Sequence, residues 1–272
     1  MTDTEPDDSS KSIDYDSASK VYDQLRSGNP EMMHEVLKGA SIPDGGVVLD
    51  IGCGTCNNTL LFMKASRTRV VGIDLSRGML NKACEKGPAP HLIQSSADRL
   101  PFKTCSFDFA YMTEVLHHVR DFRATIASAG RALRNHGQLC VVTQSHEQID
   151  KRITSRFFPS TAGIDKSRYP SIKEIEGTML DNHFVKVRND THEFATEDLG
   201  AEYLETIEQR AYSMLHMISE KEFQEGLARL REVIHSDEPL IYTPRYTFVW
   251  GIKGDLVGGV GTEVYSIAQQ IS

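Results

Sequence analysis

The stretch Val47-Val-Leu-Asp-Ile-Gly-Cys-Gly-Thr-Cys-Asn-Asn58 decides the fold of this 272-residue chain. Its first five residues are apolar except for Asp50, which is typical of a short buried strand. Gly52 and Gly54 then allow a turn in which the backbone can approach a ligand closely. The next residues have helix-compatible spacing, so the turn is expected to open a helix. A strand, a glycine turn and a helix N-terminus together predict a cradle for a nucleotide-type ligand.

A second apolar strand, Val70-Val-Gly-Ile73, ends in Asp74, twenty residues after Gly54. An acidic residue at that place is positioned to accept both hydroxyls of a ribose. Two cofactor classes use this geometry. A dinucleotide site prefers a third glycine where this chain has Asn57, and it needs no carboxylate at the place of Asp50.

The stretch Asp50-Ile-Gly-Cys-Gly-Thr55 resembles the first motif of class I S-adenosylmethionine-dependent methyltransferases. Two later segments resemble that family's D-x-S-x-x-M-L and G-D-A-E-x-L-P-F patterns, at residues 74–80 and 95–102. The resemblance covers roughly residues 13–145, and it points to the small-molecule branch that includes ubiquinone and menaquinone biosynthesis. It implies an α/β fold with a doubly wound, seven-stranded Rossmann-like sheet and a helical cap.

The resemblance also implies S-adenosylmethionine as the cofactor. Asp50, Gly52 and Gly54 would hold its amino-acid part, and Asp74 its ribose. The acidic residue that usually meets the adenine amino group is replaced by Ser96, so Asp98, or Ser96 with the backbone of Ala97, is expected to substitute. The expected cofactor-binding residues are Tyr22, Asp50, Gly52, Gly54, Asp74, Leu75, Met79, Ser96, Ala97, Asp98 and Thr113.

The acceptor side is expected directly after the fourth strand, Ser106–Met112, in the segment Thr113-Glu-Val-Leu-His-His-Val119. In the family this stretch borders both the methionine part of the cofactor and the substrate. His117 or His118 is the candidate general base, because a histidine near neutral pKa suits proton removal from a hydroxyl or amine. A structural role for either histidine is the alternative.

Glu114 and Tyr15 are the expected substrate-side residues. Tyr15 and Tyr22 stand at helical spacing in a segment that resembles the family's lead-in, which folds over the cofactor. The alternative is a plain amphipathic helix in which both tyrosines are packing residues.

Composition excludes several other classes of protein. Charged residues make up 25% and hydrophobic ones 39% of the chain, as in an ordinary globular protein. A net charge of −8 gives no sign of a nucleic-acid-binding surface. There is no apolar stretch of membrane-spanning length, and the acidic start is not a signal peptide, so a cytoplasmic protein is expected. The resemblance implies a small-molecule partner.

The five cysteines predict neither a disulfide framework nor a metal site. Cys53 and Cys56 have C-x-x-C spacing, which is compatible with a redox pair or half a zinc site, but no second ligand pair is evident. Their place inside the cofactor turn favours two small residues that line a loop.

The chain is expected to form one domain over residues 13–253, between a disordered tail at 1–12 and a C-terminal tail at 254–272. Helical cap insertions are predicted near 145–180 and 195–236, with a break at Pro159–Gly163 in the first and near Ser219 in the second. Substrate choice is expected to reside in this cap.

The predicted function is methyl transfer to a small molecule, mostly by alignment of the reacting atoms and with possible help from a histidine base. Three alternatives stay open. They are a non-catalytic S-adenosylmethionine-binding partner, a nucleotide-dependent oxidoreductase, and a methyltransferase acting on arsenic or another thiophilic species.

Overall fold

The computed structural model describes residues 28–87, 90–236 and 239–255. The predictions for Tyr15, Tyr22, residues 1–12 and residues 256–272 lie outside this part of the chain. Its strands are β1 (Val47–Ile51), β2 (Arg69–Asp74), β3 (His91–Gln94), β4 (Phe107–Thr113), β5 (Leu133–Thr143), β6 (Phe184–Glu193), β7 (Glu197–Asp198), β8 (Ile241–Tyr242) and β9 (Arg245–Lys253).

Seven of these strands form one sheet in the order β3-β2-β1-β4-β5-β9-β6, and β7 pairs with β8 separately. Strand β9 runs antiparallel to both of its neighbours, while β1 to β5 pair in parallel. The prediction of a doubly wound, seven-stranded sheet is therefore confirmed.

The helices flank this sheet or form the cap. They are α1 (Pro30–Gly39), α2 (Asn57–Ser66), α3 (Arg77–Glu85), α4 (Phe122–Ala132), α5 (His146–Asp150), α6 (Ile153–Phe157), α7 (Ser160–Arg168), α8 (Ile172–Asp181), α9 (Ala201–Glu208) and α10 (Glu220–Ile234). Within the described ranges, no helix combines the length and apolar character needed to cross a bilayer.

Alternation along β1 explains how the sheet is covered on both faces, because successive strand residues point to opposite sides. Leu49 and Ile51 join one apolar core with residues of α4 and α8. Val48 joins the other core with residues of α1 and α2. Asp50 points to that second side, so the motif carboxylate enters the interior rather than the solvent.

The strand order indicates where a ligand site is expected, at the carboxyl ends of β1 and β4. The chain builds β1, β2 and β3 in one direction and then returns to place β4 on the other side of β1. The segments that leave the carboxyl ends of β1 and β4 therefore part in opposite directions. In open α/β sheets the crevice between such segments is where ligands bind.

The cap has an apolar cluster of its own. Its buried members come from α6, α9, α10 and neighbouring segments, and include Ile153, Phe157, Phe158, Leu204, Ile207, Phe223, Leu227 and Leu230. Helix α8 differs, because its Ile175 and Met179 belong to the sheet core. The residues 172–181 therefore cover the sheet, although the predicted cap block extended to 180.

The predicted helix break at Pro159–Gly163 is correct in place but wrong in extent. Helix α6 ends at Phe157, before Pro159, but α7 begins at Ser160, with Pro159 at its N-cap at φ −57°. Proline has no N–H to lose at a helix start and its fixed φ suits the first turn. Ser219 likewise caps α10 by accepting a hydrogen bond from Glu222 N, as the predicted break implies.

Candidate active site

The loop after β1 is shaped by two glycines. Gly52 has φ +75°, and a Cβ there would lie 2.5 Å from Cγ2 of Val115. Gly54 has φ +54°, and a Cβ there would meet nothing within 4 Å. The left-handed backbone favours glycine at both positions. Gly52 thus allows a close approach of two loops, and Gly54 leaves open space where a ligand can reach the backbone.

Asp74 ties this loop to the end of β2. Its Oδ2 accepts a hydrogen bond from Gly54 N at 2.8 Å, and its Oδ1 accepts one from Ser76 N at 2.8 Å. A carboxylate only accepts hydrogen bonds, as a contact with ribose hydroxyls requires. Asp74 therefore both holds the glycine loop in place and suits the predicted ribose contact.

Asp50 is buried, with 2% of its surface exposed. Its Oδ2 accepts hydrogen bonds from the hydroxyls of Thr59, at 2.6 Å, and Tyr111, at 2.8 Å. Burial, partly offset by these two hydrogen bonds, raises the pKa of Asp50 to about 6. The carboxylate thus fixes α2 and β4 around the glycine loop. Its predicted contact with the amino-acid part of the cofactor stays a prediction.

Asn58 links three segments at the site, a role that was not predicted from the sequence. Its Nδ2 donates to Oγ1 of Thr113 at 3.3 Å, and its Oδ1 accepts from Asn29 N at 2.9 Å. The start of α2, the end of β4 and the residue that caps α1 therefore meet at one side chain. Asparagine suits this place because its amide both donates and accepts.

The expected adenine side lies at the ends of β2 and β3. Leu75 is 69% exposed next to Asp74, whereas Met79 is buried. Oγ of Ser96 donates to Oδ1 of Asp98 at 2.5 Å, at a 3₁₀ turn over Ala97–Arg99. Ser96 and Asp98, the two alternative partners predicted for the adenine amino group, are therefore hydrogen-bonded to each other, with Ala97 between them in sequence.

The segment after β4 carries Glu114 and two histidines at the carboxyl edge of the sheet. Glu114 has φ +57°, an uncommon left-handed conformation for a residue with a side chain, and its N–H donates to Val142 O. His117 is half-buried and His118 exposed, with ring centres 3.7 Å apart. Strained backbone often accompanies functional residues, and Glu114 and His117 stand together here.

Tyr169, at the C-terminal end of α7, reaches both of these residues from the cap. Its hydroxyl donates to Oε2 of Glu114 at 3.0 Å, and its ring stacks on His117 with centres 3.9 Å apart and planes 9° apart. Burial and the charge of Glu114 raise the pKa of Tyr169 well above its usual value. Tyr169 therefore keeps its proton and acts as a hydrogen-bond donor.

A buried ion cluster lies next to Tyr169. Asp165, 2% exposed, pairs with both Arg152 and Arg168. The Arg152 guanidinium also lies 5.0 Å from the centre of the Tyr169 ring. Burial alone would lower the pKa of Arg152, but the nearby Tyr169, Glu114 and Asp165 outweigh it and raise that pKa. The arginine is charged at every working pH.

Tyr169 and Arg152 were not predicted as site residues. Neither belongs to a motif, and they lie 55 and 38 positions from Glu114 along the chain. The predicted site residues at 50–54, 74–79, 96–98 and 113–118 all lie at the carboxyl ends of β1 to β4 or directly after them. Only the predicted roles of Tyr15 and Tyr22 lie outside the described residues.

The C-x-x-C pair does not have the properties of a redox centre. Cys56 is buried, and a hydrogen bond with Cys56 together with burial raises the pKa of the Cys53 thiol. A raised pKa keeps the thiol protonated, whereas reactive cysteines have lowered pKa values. Among the residues that the structure describes, no three histidine, cysteine or acidic side chains converge as metal ligands.

Comparison with known proteins places this site in a family. Residues 49–141 match the model of the type 11 methyltransferase domain. A demethylmenaquinone methyltransferase of Staphylococcus aureus is 30% identical over 172 residues, which cover 59% of this chain and 71% of that protein. Residues 49–141 contain the glycine loop, Asp74 and the segment after β4.

Solved structures show the same fold. A putative methyltransferase from an antibiotic biosynthesis pathway of Anabaena variabilis is 17% identical and has a TM-score of 0.66 over 84% of this chain and 99% of that chain. Phosphoethanolamine N-methyltransferase 2 of Haemonchus contortus, in complex with phosphomonomethylethanolamine and S-adenosylhomocysteine, is 18% identical and has a TM-score of 0.56 over 88% and 58%.

The glycine loop, Asp74 and the open space at Gly54 fit the cofactor of these proteins. The family assignment also favours methyl transfer over the oxidoreductase alternative. The chain therefore belongs to the class I S-adenosylmethionine-dependent methyltransferases of the menaquinone-methyltransferase-like type, and S-adenosylmethionine is its cofactor.

Proposed function

We propose that the chain methylates a small, largely apolar ring compound whose nucleophilic position is activated by loss of a hydroxyl proton, and that His117 accepts this proton. The observation behind the proposal is the group formed by Glu114, His117 and Tyr169 at the carboxyl end of β4. Polar groups that can accept or donate a proton converge there, beside the loop that fits the cofactor.

The residues of this chain have three tasks in the reaction. S-adenosylmethionine supplies, when bound, a methyl group on a sulfonium that needs no further activation. Thr113 and Glu114 line the approach to that methyl group, and the cap covers it from water. His117 removes the acceptor proton, while the acceptor nucleophile replaces the sulfur at the methyl carbon.

His117 is favoured over His118 as the base because its position is fixed. The His117 ring is half-buried and stacks on Tyr169, whereas His118 is exposed. A base must be held within hydrogen-bond reach of the proton that it removes, so a fixed ring is better suited. Glu114 accepts a hydrogen bond from the same tyrosine. Its negative charge near His117 favours the imidazolium that forms.

The acceptor class follows from the base and the relatives. A general base that removes a hydroxyl proton suits an acceptor with an acidic hydroxyl. The Staphylococcus aureus relative is named for demethylmenaquinone. A phenol or reduced quinone combines an apolar ring with an acidic hydroxyl, and it therefore matches both the base and this relative.

The test is a methylation assay with labelled S-adenosylmethionine. Three acceptors are compared, namely reduced demethylmenaquinone, catechol and phosphoethanolamine, and the products are identified by mass spectrometry. We expect labelled product from at least one of the two ring compounds. Turnover of phosphoethanolamine alone, or of none of the three, would contradict the proposed acceptor class.

The general base is tested in the same assay. His117→Ala should lower kcat by about 10²–10⁴-fold and leave the affinity for S-adenosylhomocysteine within twofold. His118→Ala is the matched comparison and should lower kcat by less than about tenfold. Equal and small effects of the two substitutions would leave catalysis to alignment alone and remove His117 as the base.

A further inference from the structure

Tyr169 joins the cap to the acceptor side. It lies on the segment between α7 and α8, yet its side chain contacts Glu114 and His117 after β4. Only 5% of its surface is exposed, although it carries a hydroxyl. A buried hydroxyl needs a partner, and Glu114 provides one.

The ring and the hydroxyl of Tyr169 make different contacts. Because its ring is nearly parallel to the His117 imidazole, the hydroxyl lies over the imidazole face, 3.2 Å from Nε2, and not in the imidazole plane. Hydrogen bonds to a ring nitrogen lie near the ring plane, so the His117 contact is mainly stacking. The directed hydrogen bond goes to the Glu114 carboxylate.

Tyr169 is itself held at several points. Its backbone N–H donates to Asp165 O at 2.8 Å, and its carbonyl oxygen lies 2.9 Å from Nε2 of His146. The Arg152 guanidinium packs against its ring, and Asp165 fixes that guanidinium. A side chain whose backbone and ring are both fixed is suited to set the positions of its neighbours.

We propose that Tyr169 is a positioning residue for methyl transfer: its ring sets the plane of the His117 imidazole, and its hydroxyl sets the Glu114 carboxylate. The inference rests on the proposed function for the reaction that these groups serve. It assigns to the cap a task beyond covering the crevice, because the ion cluster of the cap holds the residue that aligns the proton-accepting groups.

The first measurement needs no acceptor. Side-chain NMR spectra of protein labelled with ¹⁵N-histidine report the environment of each of the ten histidines, and His117→Gln assigns the His117 signals. Tyr169→Leu removes the stacked ring and should shift the His117 ring signals. Tyr169→Phe keeps the ring and should leave them nearly unchanged. Tyr203→Leu and Tyr203→Phe are the controls, because Tyr203 packs against the cap cluster. Both should leave the His117 ring signals unshifted.

The second measurement is kinetic and uses the acceptor that the wild type methylates. Tyr169→Phe removes only the hydroxyl, and it should lower kcat by about 10–100-fold, the usual effect of a lost hydrogen bond to a charged group. The affinity for S-adenosylhomocysteine should stay within twofold. In a Glu114→Gln background the same substitution should lower kcat by less than threefold, because the two residues act together. A merely structural tyrosine would give additive effects.

These outcomes separate the inference from the proposed function. Turnover of none of the three acceptors by the wild type would defeat the proposed function, and the NMR spectra would then decide on positioning alone. Unshifted His117 signals in Tyr169→Leu would overturn the positioning of the imidazole. A wild-type kcat in Tyr169→Phe, or a full additional loss in the Glu114→Gln background, would overturn the role of the hydroxyl.

Discussion

The cofactor side and the acceptor side of this crevice are built in different ways. On the cofactor side the glycine loop is held by partners close in sequence, Asp74 to Gly54, 20 positions apart, and Thr59 to Asp50, nine apart. One distant residue, Tyr111 of β4, also donates to Asp50, 61 positions away. On the acceptor side the contact between Tyr169 and Glu114, 55 positions apart, joins the cap to the segment after β4. The cofactor side therefore combines a short motif with support from the sheet, whereas the acceptor side depends on how the cap folds back.

Two aspartates, Asp50 and Asp165, are equally buried at 2% exposure, but they differ in the chemistry of their partners. Asp50 receives hydrogen bonds from two neutral hydroxyls, whereas Asp165 is paired with two arginines. On the acceptor side the cap brings the arginine side chains inward, and the carboxylate of Asp165 pairs with both of them. Substitutions at these two residues therefore have different expected effects.

The largest effect is expected for Asp165→Asn. The substitution leaves Arg152 and Arg168, with side chains 11% and 18% exposed, without their shared counter-ion. The free energy of unfolding should fall by about 3–5 kcal/mol, which is the usual cost of breaking a buried ion pair from one side. Urea denaturation measures this change.

The matched control is Asp150→Asn, also in the cap. Asp150 pairs with Lys166, and both side chains are at least one-third exposed, so the loss should stay below about 1 kcal/mol. The affinity of Asp165→Asn for S-adenosylhomocysteine should equal that of the wild type under native conditions. If Asp165→Asn lowered both the affinity for S-adenosylhomocysteine and the stability, the cofactor side would depend on the ion cluster of the cap.

The next effect is expected at Gly52 on the cofactor side. In Gly52→Ala the new methyl group would lie 2.5 Å from Val115, at a φ of +75°. Left-handed strain and overpacking together should cost about 2–4 kcal/mol of stability. Gly45→Ala is the control, because it has φ +71° but no atom within 4 Å of the new Cβ, and it should show the strain alone.

A second substitution separates the two causes. Val115→Ala in the Gly52→Ala background should recover part of the lost stability, because it removes the atoms that the new methyl group meets. Equal losses in Gly52→Ala and Gly45→Ala would contradict the close approach of the loops after β1 and β4.

The sequence predicted the sheet and the turn after β1 well because their determinants are local. Apolar runs and the two glycines specify strand and turn, and Asp74 ends the next strand, all within about thirty residues. The break at Pro159 was expected to extend to Gly163, but a new helix begins at Ser160, because proline ends a helix or begins one and the pattern around it does not distinguish the two. Tyr169 was missed because a single tyrosine beside a helix end has no periodic or motif signal.

A smaller effect, dependent on pH, is expected for Asp50→Asn. Burial raises the pKa of Asp50 from 3.8 to about 6, so between these values the folded protein holds a proton that the unfolded chain has lost. Wild-type stability from this group therefore falls as pH rises from about 4 to 6, and asparagine does not titrate. The stability of the wild type relative to the variant should fall by about 2–3 kcal/mol between pH 4 and 7.

Urea denaturation at several pH values tests this expectation. The control is Asp44→Asn, because Asp44 is exposed in the turn before β1 and its substitution should change the stability by less than about 0.5 kcal/mol. A difference for Asp50→Asn that stays flat with pH would show that the Asp50 carboxylate is solvated, and the contrast with Asp165 would then disappear.

The smallest effect concerns the adenine contact, where this chain departs from its family. Asp98 accepts a hydrogen bond from Ser96 and stands two residues after the usual acidic position. If its carboxylate accepts from the adenine amino group, Asp98→Asn should weaken S-adenosylhomocysteine binding by about 1 kcal/mol, the typical worth of one hydrogen bond. S-inosylhomocysteine has an oxygen in place of that amino group, so the same substitution should not weaken its binding. Calorimetry with both compounds measures the difference.

Equal weakening of both would mean that Asp98 acts only by holding the turn, and the adenine amino group would then have to be bound by Ser96 or the backbone of Ala97.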